Sequence, residues 1–226
     1  RQMCIRDRSR GNATKDSVIA ALNAGAHFVN HDGHGWWYLW MTSSGNYIYS
    51  SDVDTLSSEN KFSIIYSIGC WTCAFHYDCI AEHFMRTPSG GAVAYIGNSS
   101  YGWGSQGNPG FGYSDKFDER FYEVVFHDSV VKIGEALAKT KEYFIPFSRD
   151  TNVYRWHQYE VNLLGDPEMD IWTSIPCSFV VDLPDTIPVG KYNLTINAGV
   201  KHAKVTLLKN GEIYATGETD ERGNVS

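Results

Sequence analysis

The chain has 226 residues, of which 42% are hydrophobic, 20% charged and 14% aromatic, with a formal net charge of −7. This apolar content supports a real core and excludes a disordered chain. The negative charge excludes nucleic acid as the main partner, because phosphate binding needs a basic surface. Apolar runs such as 62–68 and 92–96 are too short for a transmembrane segment.

The length suits one medium domain with a small second one. Residues 1–10 (RQMCIRDRSR) are basic and patternless, and are expected to be foreign to the fold or disordered. Cys4 falls in them and carries no functional weight. The sequence stops at Ser226 inside a strand-and-turn pattern, so the chain is expected to be a fragment. Five cysteines are too few for a disulfide scaffold, and their odd number leaves at least one without a partner in the chain. Three of them, Cys70, Cys73 and Cys79, lie within ten residues, which concentrates any thiol chemistry there.

Asn12-Ala13-Thr14 offers an N-cap for a short helix through Asn23, with Gly25 closing it. Residues 26–30 (AHFVN) read as a strand that runs into the turn His31-Asp32-Gly33-His34-Gly35. An aromatic stretch at 36–41, a polar turn at 42–46 and a short helix at 50–58 follow. Residues 62–68 (FSIIYSI) form an apolar run broken only by Ser63 and Ser67, as expected of a strand covered on both faces. Asp78 is placed to cap a helix over 79–86, and 91–96 (GAVAYI) is a third buried strand.

A loop rich in glycine, serine and aromatic residues spans 98–112. Tyr113–Phe126 and 130–144 read as amphipathic helices, and 154–164 as a third, stopped at Gly165-Asp166-Pro167. Strands alternating with helices predict an α/β fold, a mostly parallel sheet flanked by helices. After Thr173 the pattern changes. Prolines punctuate the segment, 192–196 and 203–208 alternate with period two, and Asn210-Gly211 is a hairpin turn. This predicts an incomplete immunoglobulin-like β-sandwich over 175–226, since a full one takes about 100 residues.

Two strands end in the same way. Residues 28–30 lead into His31-Asp32-Gly33-His34-Gly35, and 62–68 lead into Gly69-Cys70. In an open parallel sheet the carboxyl ends of the strands border the ligand crevice, so adjacent strands would bring His34 and Cys70 to one edge. A thiol beside an imidazole is the arrangement of nucleophilic catalysis: the base takes the thiol proton and later protonates the leaving group.

Other readings of these residues stay open. Cys70-Trp71-Thr72-Cys73 is a C-x-x-C, which makes Cys73 a rival nucleophile, a redox partner of Cys70, or half of a metal site with His31, His34 and His76. Cys73 and Cys79 can instead pair in an oxidising compartment or be buried thiols. Asp32 reads as a solvated turn residue, although it stands two before His34.

AHFVNHDGHG and FSIIYSIGC, followed in order by CIAEHFMR, GAVAYIGNSS, IGEALAKTK and NLLGDPEM, resemble the gingipain-type cysteine peptidases. Those peptidases belong to a larger group with a caspase-like fold. The resemblance covers roughly residues 25–226. It implies that 11–174 is the C-terminal portion of the peptidase domain, with an immunoglobulin-like module after it. It also implies cysteine endopeptidase activity on protein or peptide substrates, with Cys70 as nucleophile and His34 as general base and acid. The backbone N–H groups of Cys70 and Gly35 would form the oxyanion hole. Trp103 and Asn98, in the loop after the third strand, and Trp36 beside the histidine loop would line the substrate site.

No cofactor or catalytic metal is implied, although structural calcium fits the family. Secretion or a place on the bacterial cell surface is implied too. The same fold leaves two alternatives: a transpeptidase that processes exported proteins, sharing Cys70 and His34, and a degenerate adhesion module.

Overall fold

The computed structural model describes residues 13–43, 45–59, 61–108, 110–174, 178, 180–181 and 193–226. The stretch 1–10 and the link around residue 176 lie outside them. The chain divides into two compact units between Thr173 and Ser174.

The first unit opens with helix α1 (Lys15–Ala24), whose N-cap Thr14 accepts the Ser17 N–H through its side chain and whose end is closed by Gly25 at φ 82°. Strand β1 (Phe28–His31) follows, then an antiparallel meander of β2 (Gly35–Trp36), β3 (Leu39–Ser43) and β4 (Asn46–Tyr49). Sequence reasoning left 36–46 as an aromatic stretch and a turn. The meander forms because Trp40 and Ile48, cross-strand partners in β3 and β4, are both buried, so each strand has one apolar side facing the core.

Helix α2 (Ser50–Val53) is shorter than the predicted 50–58. Strand β5 (Ser63–Ser67) is buried at every residue. Helix α3 (Ile80–Arg86) is capped by Cys79, whose N–H donates to the Glu82 carboxylate at 2.9 Å. Asp78, the predicted cap, instead pairs with Arg86 at 2.6 Å and with His83 at 3.3 Å.

Strand β6 (Ala92–Asn98), helix α4 (Tyr113–Phe126), helix α5 (Ile133–Phe144) and helix α6 (Val153–Glu160) come next. The predicted helix over 154–164 breaks at Glu160. Strand β7 (Val161–Gly165) then pairs antiparallel with β6, Val161 opposite Asn98 and Gly165 opposite Ala94. A short apolar run such as 161–164 suits helix or strand alike. The open hydrogen-bonding edge of β6 decides for the strand.

The main sheet has the order β1-β5-β6-β7, parallel from β1 to β6 and antiparallel at β7. Its two faces follow the period of two. Ile64, Tyr66, Ala94 and Ile96 pack under Phe117, Phe121, Val124, Ile133 and Leu137 of α4 and α5. Ile65 and Tyr95 face Trp40, Ile48, Ile80 and Phe84. Burying side chains of this size contributes about 1.5–3 kcal/mol each.

The second unit holds β8 (Ile196–Asn197), β9 (Lys204–Lys209), β10 (Glu212–Glu218) and β11 (Asn224–Val225), as two antiparallel pairs, β9 with β10 and β8 with β11. Asn210 and Gly211 turn the β9–β10 hairpin with positive φ of 55° and 84°, as the favoured two-residue turn demands. Of the predicted strand at 192–196, Tyr192 lies outside the described residues and only Ile196 is in a strand.

Candidate active site

His31 pairs with Ser67 in the register of β1 and β5. His34 and Cys70 each follow three residues later, so both leave the carboxyl edge of the sheet from adjacent parallel strands. The two loops touch backbone to backbone. A Cβ on Gly35 would collide with Thr72 Cγ2 and lie 3.1 Å from the Cys70 carbonyl oxygen and 3.2 Å from Gly69 Cα. Only glycine allows this approach.

His34 has an exposed ring, and its carbonyl accepts the Met41 N–H at 2.8 Å, which fixes the loop against β3. His31 behaves differently. It is 7% exposed, stacked on Trp40 with centroids 4.6 Å apart, and both ring nitrogens are engaged. Nδ1 lies 2.8 Å from the Ser67 hydroxyl and Nε2 lies 3.2 Å from the Met41 carbonyl. Because that carbonyl only accepts, the proton sits on Nε2 and Nδ1 accepts from Ser67. Burial holds the His31 pKa down to about 4. It is a structural histidine, which takes it out of the metal reading.

Cys70 is half-buried, and its Sγ is turned to the Gly102 carbonyl at 3.6 Å. No hydrogen bond joins it to His34. Burial pushes its pKa up, eased by the Gly102 hydrogen bond and worsened by Glu160. The resting thiol is therefore protonated, whereas thiol-imidazole reasoning anticipates a favoured thiolate. Catalytic hydrogen bonds of this kind commonly tighten only when substrate is bound.

Cys73 is fully buried, and burial drives its pKa far up; the Cys79 pKa rises to about 11 for the same reason. Both are free thiols and chemically quiet. Among the described residues no group of three or more His, Cys, Asp or Glu is arranged to hold a metal ion.

The loop after β6 closes the site from the other side. Trp71, at φ 61°, donates its N–H to the Ser100 carbonyl at 2.7 Å, and Cys73 donates to the Asn98 carbonyl at 3.0 Å. Asn98 itself is 1% exposed and its amide donates to the Ile68 carbonyl at 2.9 Å. That corrects its expected role as a substrate-contacting residue: it stitches the β5 and β6 ends together beneath the surface.

The Trp36 ring lies 5.4 Å from Trp71 and 6.3 Å from Tyr101. Trp71 was not singled out from the sequence, although it follows Cys70 directly. Trp103 is 48% exposed and borders a groove of about 430 Å³ that Asp150, Arg155, Trp156 and Tyr159 also line.

Three further residues stand under this loop and were not legible in the sequence. The Trp103 N–H donates to Ser114 Oγ at 2.8 Å, and Ser114 Oγ lies 2.9 Å from His157 Nε2. Glu160, 3% exposed, places Oε1 3.3 Å from the same nitrogen. A serine at a helix start and a His-x-x-Glu pair on a helix are too common to single out.

A search of curated proteins gives no match. Among solved structures, "Crystal structure of the Arg specific cysteine proteinase gingipain R (RGPB)" matches with a TM-score of 0.76 at 20% identity, covering 95% of this chain and 49% of that one. "Complex of Porphyromonas gingivalis RgpB pro- and mature domains" matches with a TM-score of 0.74 at 20% identity, covering 95% and 50%. A third, "Structure of Protease", matches at 22% identity with a TM-score of 0.70, covering 94% and 50%. The chain thus spans about half the length of the solved structures it resembles, and shares their fold. The profile of Peptidase family C25 matches residues 4–172, three quarters of the sequence, and the chain belongs to that family.

Proposed function

We propose that the chain carries the nucleophile and base of a cysteine endopeptidase. The observation that carries this reading is the β1–β5 register, which sends His34 and Cys70 off one sheet edge with their loops in backbone contact. His34 takes the Cys70 Sγ–H proton as sulfur bonds to the scissile carbonyl carbon. The imidazolium then gives that proton to the departing amine as the C–N bond breaks. Water hydrolyses the thioester with His34 again as base.

The N–H groups of Cys70 and Gly35 face the developing oxyanion, and Trp103 and Trp36 wall the substrate site. The chain supplies every group in this scheme, so it uses no cofactor. Calcium, where bound, serves stability. The Asn210-Gly211 hairpin speaks for an immunoglobulin-like module in the second unit. The protein acts on protein or peptide substrates in the secreted or cell-surface setting implied by the resemblance. Among the described residues no helix is long and apolar enough to cross a membrane.

The test is labelling of the 226-residue chain with a set of peptidyl chloromethyl ketones, followed by peptide mapping. Modification at Cys70 that needs an intact His34 is the expected result. Labelling confined to Cys73, or labelling of Cys70 unchanged in His34→Ala, overturns it.

A further inference from the structure

Glu160 is a buried carboxyl with no hydrogen-bond partner on either oxygen among the described residues. A carboxylate in that position is costly, because removing a charge from water needs compensating donors. The nearest polar group is His157 Nε2, 3.3 Å from Oε1. That nitrogen has no proton to offer. His157 Nδ1 lies 2.9 Å from the Val153 carbonyl, which only accepts, so the imidazole proton is on Nδ1. Nε2 carries a lone pair, and Ser114, having accepted the Trp103 N–H, points its own hydroxyl there. An ionised Glu160 would set its charge beside that accepting nitrogen with no donor to answer it, whereas the neutral acid carries no charge to compensate.

The other charged and titratable groups around it do not supply the missing donor. Lys141 of α5 gives its ammonium to the Gln158 carbonyl at 3.0 Å and is itself held below its usual pKa by burial. Tyr66 of β5 has a buried hydroxyl without a partner, and ionised Glu160 opposes its ionisation. The Trp156 indole N–H lies near enough to draw the Glu160 pKa down, but it donates to the Tyr101 carbonyl at 2.8 Å and not to the carboxyl. From the loop after β5 comes Cys70, whose thiolate Glu160 disfavours.

Glu160 is also tied to the thiol's surroundings. Its backbone carbonyl accepts the Ser99 N–H at 2.8 Å, and the His157–Ser114–Trp103 chain ends one residue from Gly102, the partner of Cys70 Sγ.

We propose that Glu160 is a proton-holding positioning residue: as the neutral acid it lies uncharged beside His157 and the 99–103 loop under Cys70, and on losing its proton to solvent it leaves an unpaired charge there that holds back the Cys70 thiolate. Burial sets the point of change by pushing the Glu160 pKa up to about 8 against the pull of Trp156 and Lys141. This deepens the peptidase reading by giving the nucleophile an alkaline brake.

The experiment is alkylation of Cys70 by iodoacetamide in the whole chain, followed by peptide mapping from about pH 6.5 to 9.5, in wild type and Glu160→Gln. The uncharged reagent reads the thiol whether or not a peptide is cleaved, so failure here is separate from failure of the peptidase reading. The ratio of variant to wild-type rates is expected near one at pH 6.5, rising to about threefold at pH 9, the thiolate change for about half a pKa unit. A ratio independent of pH, or one below one at pH 9, overturns the proposal. Should the variant not fold, carboxyl ¹³C titration of Glu160 in wild type decides. A midpoint far above the usual value of about 4.3 supports the proposal, and an ordinary one overturns it.

Discussion

His31 Nδ1 lies 2.8 Å from the hydroxyl of Ser67, its partner in the β1–β5 register, so the strands leading to His34 and Cys70 are tied by side chains as well as by backbone. Ser67 Oγ also accepts the Gly69 N–H at 3.3 Å and the Thr72 hydroxyl at 3.2 Å. One histidine holds the site together, and another, three residues on, faces solvent.

The two histidines should therefore fail differently. His31→Ala removes the Trp40 stack and both ring hydrogen bonds, which is expected to cost about 2–4 kcal/mol of stability. His34→Ala, at an exposed position, should leave Tm nearly unchanged while lowering peptide hydrolysis by about 10²–10⁴-fold. Calorimetry beside turnover separates them. A His34→Ala protein that melts early, with His31→Ala fully active, would exchange their roles.

The same pair shows how far the sequence could be read. Glycines on both sides of His34, and a glycine before Cys70, mark the places where two backbones meet, and a strand run such as FSIIYSI announces a buried central strand. Those features are local. The function of His31, the burial of Asn98 and the break of the predicted 154–164 helix at Glu160 depend on what lies opposite in space. Nothing in HQYEVNLL says that β6 has an open edge waiting for it. The Glu160–His157–Ser114 chain joins residues from two helices, so no spacing rule could collect it.

Exposure separates Cys70 from Cys73. Cys70→Ala removes a half-buried thiol whose hydrogen bond to the Gly102 carbonyl is a long one, and should abolish hydrolysis with Tm nearly unchanged. Cys73 is sealed in the core beside Tyr95 and Ile80, so Cys73→Ala should lower stability by about 1 kcal/mol and leave most of the activity. Loss of activity in Cys73→Ala alone would move the nucleophile.

Stability should be lost on the alkaline side. Burial holds His31 and His157 down to about 4, and pushes Glu160 up to about 8 and Asp118 up to about 7. In the unfolded chain the histidines titrate near about 6.5 and the carboxyls near about 4. From about pH 4.5 to 6.5 the unfolded chain binds extra protons on the histidines and the folded chain on the carboxyls, so the effects largely offset. Above about pH 6.5 only the carboxyls differ, and the stability they contribute falls as pH rises through about 7 and 8. Tm should be flat below about pH 6.5 and lower at pH 8.5, with a shallower fall in Glu160→Gln. A wild-type Tm that climbs steadily to pH 8.5 would contradict this.

Trp103 should act on binding. Its ring is 48% exposed while its backbone is pinned to Ser114 at 2.8 Å, so truncation changes the groove wall and spares the loop. Trp103→Ala is expected to raise KM about tenfold with kcat within about twofold, as loss of uniform binding predicts. An equal fall in kcat and kcat/KM would place the ring at the reacting bond instead.

The closest test of the site's geometry is Gly35→Ala. Its new methyl would collide with Thr72 Cγ2 and press on the Cys70 carbonyl oxygen at 3.1 Å and Gly69 Cα at 3.2 Å. The loops that carry His34 and Cys70 must then separate, and small misplacements of reacting groups are expensive in rate. A loss of about 10²-fold in kcat/KM is expected, larger than the accompanying effect on Tm. Thr72→Ser should rescue part of it. That change removes Cγ2, the worst clash, while keeping the hydroxyl that bonds the Gly69 carbonyl at 3.1 Å and Ser67 Oγ at 3.2 Å. The contacts at 3.1 and 3.2 Å remain, so recovery should be incomplete. Kinetics on the four proteins of this double-mutant cycle measures the coupling directly. If the two losses simply add, the Gly35–Thr72 contact does not set the spacing between histidine and cysteine.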